Sequence, residues 1–139
     1  MKKFVGVIIA TVALVLCFSL SACGVKYVSN YSSSVMTTTS SSKEASVSFD
    51  TFSGTYVMKL QNAGDGEAVI TYSATLEEGN IKVYYDYNDE KLSLFEIGTD
   101  GSVEGKTEEF TGNKTVYVII ESDGKCNAGS FSFALKKAE

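Results

Sequence analysis

The side chains that usually carry enzyme chemistry are scarce in this sequence of 139 residues. Histidine is absent, which removes the group most often used to move protons near neutral pH, and with it any Ser-His-Asp or Cys-His arrangement. Ser40-Ser41-Ser42-Lys43 and Ser122-Asp123-Gly124-Lys125 both have Ser-x-x-Lys spacing. That pair is expected to work on a helical turn, which brings lysine beside serine. Here the first lies in a Ser/Thr-rich run and the second in a turn. Carboxylates stand as sequence neighbours, Glu77 with Glu78 and Glu108 with Glu109. Neighbours on a strand point to opposite faces, so adjacency argues against the converging pair of a glycosidase.

Two binding constellations remain. Asp86, Asn88, Asp89 and Glu90 crowd one turn, and hard oxygen ligands at this density suit Ca²⁺, the one ion the sequence suggests as a cofactor. A solvated hairpin turn is the simpler reading of the same residues. Tyr84 alternates with Tyr85 and Tyr87 on one strand and shares a face with Lys82 and Asp86. An exposed tyrosine between polar groups suits stacking against a sugar, although tyrosine is also an ordinary strand former.

The formal net charge is −5, and the sequence contains no arginine. A nucleic-acid partner is therefore not expected, since phosphate binding needs a basic face. The cysteines are Cys17, Cys23 and Cys126. The first two lie in or beside the apolar N-terminal run, which leaves Cys126 without a disulfide partner in the remainder. An odd thiol in an exported protein is a candidate reactive or intermolecular site, and a small buried residue near a turn is the plainer alternative.

Lys2 and Lys3 precede an almost uninterrupted apolar run from Phe4 to Leu20, followed by Ser21 and Ala22. This is the layout of a secretory signal, and the run is slightly short of the roughly 20 residues of a spanning helix. Leu20-Ser21-Ala22-Cys23 resembles the lipobox of bacterial lipoprotein precursors. The resemblance implies that residues 1–22 are removed, that Cys23 carries a diacylglyceryl group, and that the mature chain is anchored on the extracytoplasmic face of the membrane. Two or three acyl chains make a durable anchor, since each buried CH₂ contributes about 0.8 kcal/mol.

Residues 23–46 are dominated by serine and threonine, with few apolar groups to offset the entropy of ordering them. They are expected to form a flexible stalk, spanning roughly 25 Å as a coil and about 60 Å when stretched. Residues 47–139 read as one β domain. Period-two alternation predicts strands at 47–49, 56–60, 68–74, 81–87, 92–97, 102–110, 115–121 and 130–136, divided by Gly, Asn and Asp. The run 115–121 is the most apolar and is expected at a sheet centre. Glu104, Lys106, Glu108 and Glu109 mark 102–110 as an edge strand. Strands at this spacing without a helical segment imply an all-β fold, a two-sheet antiparallel β-sandwich of jelly-roll-like type, with a single curled barrel as the alternative.

A second resemblance lies between Ala68 and Leu135, which is similar to the bacterial pre-peptidase C-terminal domain. It is carried by Tyr72 and Leu76 before Glu78-Gly79-Asn80-Ile81-Lys82-Val83, by Leu92-Ser93-Leu94-Phe95 before Asp100-Gly101, and by Tyr117-Val118-Ile119 before Gly129-Ser130-Phe131-Ser132-Phe133. Where that family usually has an aspartate-rich approach to its Leu-x-Leu strand, this sequence has Asn88-Asp89-Glu90-Lys91. The resemblance implies a small β-sandwich that binds or chaperones. The expected function is thus a non-enzymatic, lipid-anchored binding module at the cell envelope, with a glycan or an envelope protein as partner. A structural or accessory subunit of an envelope complex is the alternative, and a carboxylate-dependent hydrolase is a third reading.

Overall fold

The computed structural model describes residues 27–61, 66–111 and 115–138. The signal segment, Cys17 and the lipobox with Cys23 lie outside the described residues, as do the loop at 62–65 and positions 112–114 of a predicted turn. Among the described residues ten strands, all paired antiparallel, make one continuous sheet: β1 (Asn30–Ser34), β2 (Thr37–Ser40), β3 (Glu44–Gln61), β4 (Glu67–Glu78), β5 (Ile81–Asp86), β6 (Lys91–Ile97), β7 (Gly101–Lys106), β8 (Phe110–Thr111), β9 (Thr115–Ser122) and β10 (Cys126–Lys137). The order is β6-β5-β9-β3-β10-β4-β7, with β1 and β2 on β3 and β8 on β4.

The sheet folds on itself because its longest strand changes partner. Residues 44–52 of β3 pair with β10, and residues 55–61 pair with β9. Layer I therefore holds β2, the first part of β3, β10, β4, β7 and β8, and layer II holds β1, the second part of β3, β9, β5 and β6. The crease between them runs through three neighbouring strands. On β3 the buried side chains shift from Ala45, Val47 and Phe49 to Phe52, Met58 and Leu60, so the inward face changes parity near Asp50. At the same level Ala128 on β10 has φ 50°, and Val35, between β1 and β2, has φ 47°. An extra residue in an irregular conformation bends a strand and raises its twist, and φ above zero is costly for a β-branched residue. Gly54, at φ 118°, completes the bend: a Cβ there would lie 2.3 Å from the Asn30 carbonyl oxygen, so glycine lets β1 approach.

The two layers close over one core. Phe95 of β6 stacks within 4.8 Å of Tyr72 on β4 and within 6.4 and 6.2 Å of Phe131 and Phe133 on β10. Tyr87 stacks at 4.6 Å on Phe110 of β8. Such offset aromatic contacts add to area burial. The architecture is the predicted antiparallel sandwich, and its single sheet nearly closes into the barrel that was the alternative. As expected, β9 is interior, with Val118 and Ile119 buried on opposite faces, and β7 is an edge strand.

The predicted stalk is corrected over much of its length. Residues 30–34 and 37–40 form strands along β3, and β3 itself begins at Glu44. Tyr31 stacks on Phe52 at 5.9 Å and meets Tyr56 edge-on at 5.3 Å. Serine and threonine here complete a sheet edge, since backbone pairing and two aromatic contacts supply what the side chains lack. The domain boundary expected at 46/47 thus falls inside β3, and the predicted strands at 47–49 and 56–60 are one bent strand.

Candidate binding groove

Alternation that sends apolar residues inward leaves small hydroxyl-bearing residues on the outer face of layer I. The register aligns them across the strands. One row runs Thr37, Ser48, Ser130, Thr75, Ser102, and the next runs Thr39, Ser46, Ser132, Ser73, Glu104. A third holds Glu44, Ala134, Thr71 and Lys106. The second and third rows floor an open groove of about 830 Å³, which Lys136 also lines. A smaller hollow over Ser73, Ser102, Ser130 and Ser132 continues it along the strands. Each hydroxyl can donate or accept a hydrogen bond as its rotor turns. The floor offers an uncharged array of both functions, with strands spaced about 4.8 Å apart.

The charged residues sit toward the rim. Glu44 and Glu104 lie on β3 and β7, three strand spacings apart in the order β3-β10-β4-β7, or about 14 Å of backbone. Glycosidase carboxylates stand roughly 5 to 10 Å apart, closer than these two backbone positions. Ser122, of the second Ser-x-x-Lys, accepts a hydrogen bond from the Gly54 N–H at 2.7 Å and donates to the Gly54 carbonyl at 3.3 Å. Its hydroxyl is committed to pinning β9 on the bend of β3. Ser40 of the first is the last residue of strand β2, opposite Ala45 of β3, and so lies on a strand and not on a helical turn.

The sequence-predicted site lies on the opposite side of the molecule. Lys82, Tyr84 and Asp86 do share the outer face of layer II. Lys91 lies 4.3 Å from the centroid of the Tyr84 ring and is held by Glu121 at 2.7 Å, so a cation already occupies the ring that was expected to stack on a sugar. Asp86 is 1% exposed and accepts a hydrogen bond from the Tyr27 hydroxyl at 2.5 Å. Of the four residues expected to hold Ca²⁺, Asp86 is covered on the outer face by Tyr27 while Asn88, Asp89 and Glu90 are exposed in the turn. No cluster of three or more acidic, Cys or His ligands forms among the described residues.

Cys126 is buried, its thiol donating toward the Asn80 carbonyl oxygen at 3.5 Å. Burial pushes the thiol up from its ordinary value, and the charge of Asp123 adds to this against the opposing Asn80 contact. The protonated form is favoured and the reactive thiolate is not. The signal for the groove was present as Ser46-x-Ser48, Thr71-x-Ser73-x-Thr75 and Ser130-x-Ser132, but each reads alone as an ordinary solvent face. Only the register shows that the runs lie side by side.

The chain is thus an all-β sandwich with a polar groove on one outer face. No protein-family model and no curated protein matches it. Among solved structures it is similar to TmCBM61 in complex with β-1,4-galactotriose, with TM-score 0.49 and 16% identity over 68% of this chain and 71% of that one. It is also similar to CBM35 from Paenibacillus barcinonensis, with TM-score 0.40 and 12% identity over 83% and 87%. A mutant of a family 29 carbohydrate binding module gives TM-score 0.41 and 15% identity over 81% and 82%.

Proposed function

We propose that this chain is a non-catalytic, lipid-anchored module of the bacterial cell envelope that binds a glycan in the groove of layer I. The observation that carries the reading is the alignment of hydroxyl rows along an open groove. Glycans are polyhydroxylated and mostly uncharged, and each net hydrogen bond contributes only about 0.5 to 1.5 kcal/mol, so many must act together. A floor of adjacent donors and acceptors along β10 and β4 meets that requirement over a length of roughly 20 Å. A protein partner would favour an apolar centre with aromatic anchors. The exposed large apolar side chains among the described residues are Val28, Tyr31 and Val35, all on the N-terminal segment and outside the groove. The anchor is supported by the lipobox at Cys23.

The test uses the lipid-free protein in affinity electrophoresis and calorimetry against cell-wall and plant polysaccharides. Ser132→Trp and Ser73→Trp place an indole on the groove floor and should abolish binding without moving the unfolding midpoint. Tyr84→Ala should leave binding unchanged. Full binding in both Trp variants, or turnover of the polysaccharide, would refute the assignment.

A further inference from the structure

The segment expected to lift the domain from the membrane is instead strapped to it. Tyr27 sits edge-on to Tyr117 of β9 with ring centroids 5.4 Å apart, and its hydroxyl reaches across to Asp86 of β5. Ser29 accepts a hydrogen bond from the Val57 N–H at 2.9 Å, and pairing with β3 begins one residue later at Asn30. The chain is therefore fixed to the outer face of layer II from Tyr27 onward. Only Gly24, Val25 and Lys26 separate Tyr27 from Cys23. Four residue steps span at most about 14 Å however they are arranged, far less than the reach of a free stalk.

We infer that the outer face of layer II rests on the lipid bilayer and that the groove of layer I is thereby turned away from it. The inference rests on the lipid-anchor reading proposed above. Tyr27 cannot leave the headgroup region while it stays docked, and the outer faces of a sandwich's layers point in opposite directions. On this face Lys59 and Lys82 are exposed, but Lys82 stands opposite Glu96 on β6 and Glu121 on β9, and Asp89 and Glu90 are exposed in the turn after β5, so the orientation is set by the short tether and not by charge. Val28, 69% exposed beside Tyr27, adds an apolar contact at the point of attachment.

Native lysines provide the test. The mature lipidated protein is reconstituted in phosphatidylglycerol and phosphatidylcholine vesicles, acetylated briefly, and read by mass spectrometry against the same protein in detergent. Lys59 and Lys82 should react several-fold more slowly on vesicles, while Lys106 and Lys136 at the groove should react equally in both. Tyr27→Ala, which precedes the first strand, should erase the difference while fatty-acid labelling of Cys23 persists. A lipidated protein whose four lysines are equally reactive, or one protected at the groove, would overturn this inference alone. Protection that survives Tyr27→Ala would overturn the role of the strap. Loss of fatty-acid labelling from the wild-type protein would overturn the anchor and the orientation together.

Discussion

The packing that holds the groove strand in place can be tested at Gly129. This residue of β10 lies opposite Phe49 on β3 and Leu76 on β4. A Cβ at Gly129 would stand 2.4 Å from Phe49 Cζ and 2.9 and 3.0 Å from Cε2 and Cε1. Carbon atoms sit comfortably at about 3.5 to 4.0 Å, so the ring would have to retreat by more than an ångström. Its escape is closed by the Phe52 ring at 5.1 Å and the Phe131 ring at 6.1 Å. Overpacking of this kind costs about 1 to 3 kcal/mol, and the upper half applies where the ring is 5% exposed and cannot swing into solvent. Against that, replacing glycine reduces the freedom of the unfolded chain and returns about 0.4 to 1 kcal/mol. Gly129→Ala should thus destabilise by about 1 to 2.5 kcal/mol net, read as a shift in urea midpoint with unchanged slope. Phe49→Leu shortens the offending ring, at about 1 to 2 kcal/mol of its own. In the double variant the alanine no longer clashes, and the two effects should fall short of additivity by about 1 kcal/mol or more. Additive effects would show that Phe49 does not fill the space of the missing side chain.

Val118→Asp buries an unpaired charge at a site that is 0% exposed and should cost about 3 kcal/mol or more; a midpoint equal to wild type would mark β9 as peripheral. A chain beginning at Lys43 strips β1 and β2 from β3 and the Tyr31 ring from Phe52 and Tyr56, so it should lose about 2 kcal/mol or more and aggregate through its bared edge. Equal midpoints for that chain and one beginning at Tyr27 would return the segment to a stalk. Burial raises both the Cys126 thiol and the Tyr85 hydroxyl, so the unfolded chain releases these protons first as pH rises. Stability should be full below about pH 9 and fall above it, and a urea midpoint that holds or rises at pH 10 would contradict this. In the same experiments Cys126 should react with a thiol reagent only as fast as the protein unfolds.

What could be read from the residues alone was whatever depended on alternation. Val116, Val118 and Ile120 against Tyr117 and Ile119 marked an interior strand, and the charges of Glu104 and Lys106 marked an edge, because each pattern is complete within one strand. The 30–40 segment was misread since its composition is that of a linker, while its order comes from β3, whose partner residues lie up to 25 positions away at Asn30↔Thr55. Tyr84 and Asp86 were placed on the correct shared face, yet what covers them was not visible. Lys91 and Tyr27 reach them through the tertiary fold, the latter from 59 residues away. The groove escaped for a related reason: a serine on a strand is ordinary, and a row of serines is a property of register between strands.

The position of β10 between β3 and β4 has a consequence for timing. It is the last of the ten strands in chain order, yet it is the middle of layer I, joining Glu44 to Ala134 and Ala68 to Lys137. Until residues 126–137 arrive, β3 and β4 have no common neighbour, and their facing apolar residues have nothing to close on. Contacts this distant along the chain make folding slow, because the loop entropy is lost before the contacts form. Layer I can therefore close only once residues 126–137 are in place, so a chain cut short of them should not hold β3 and β4 together.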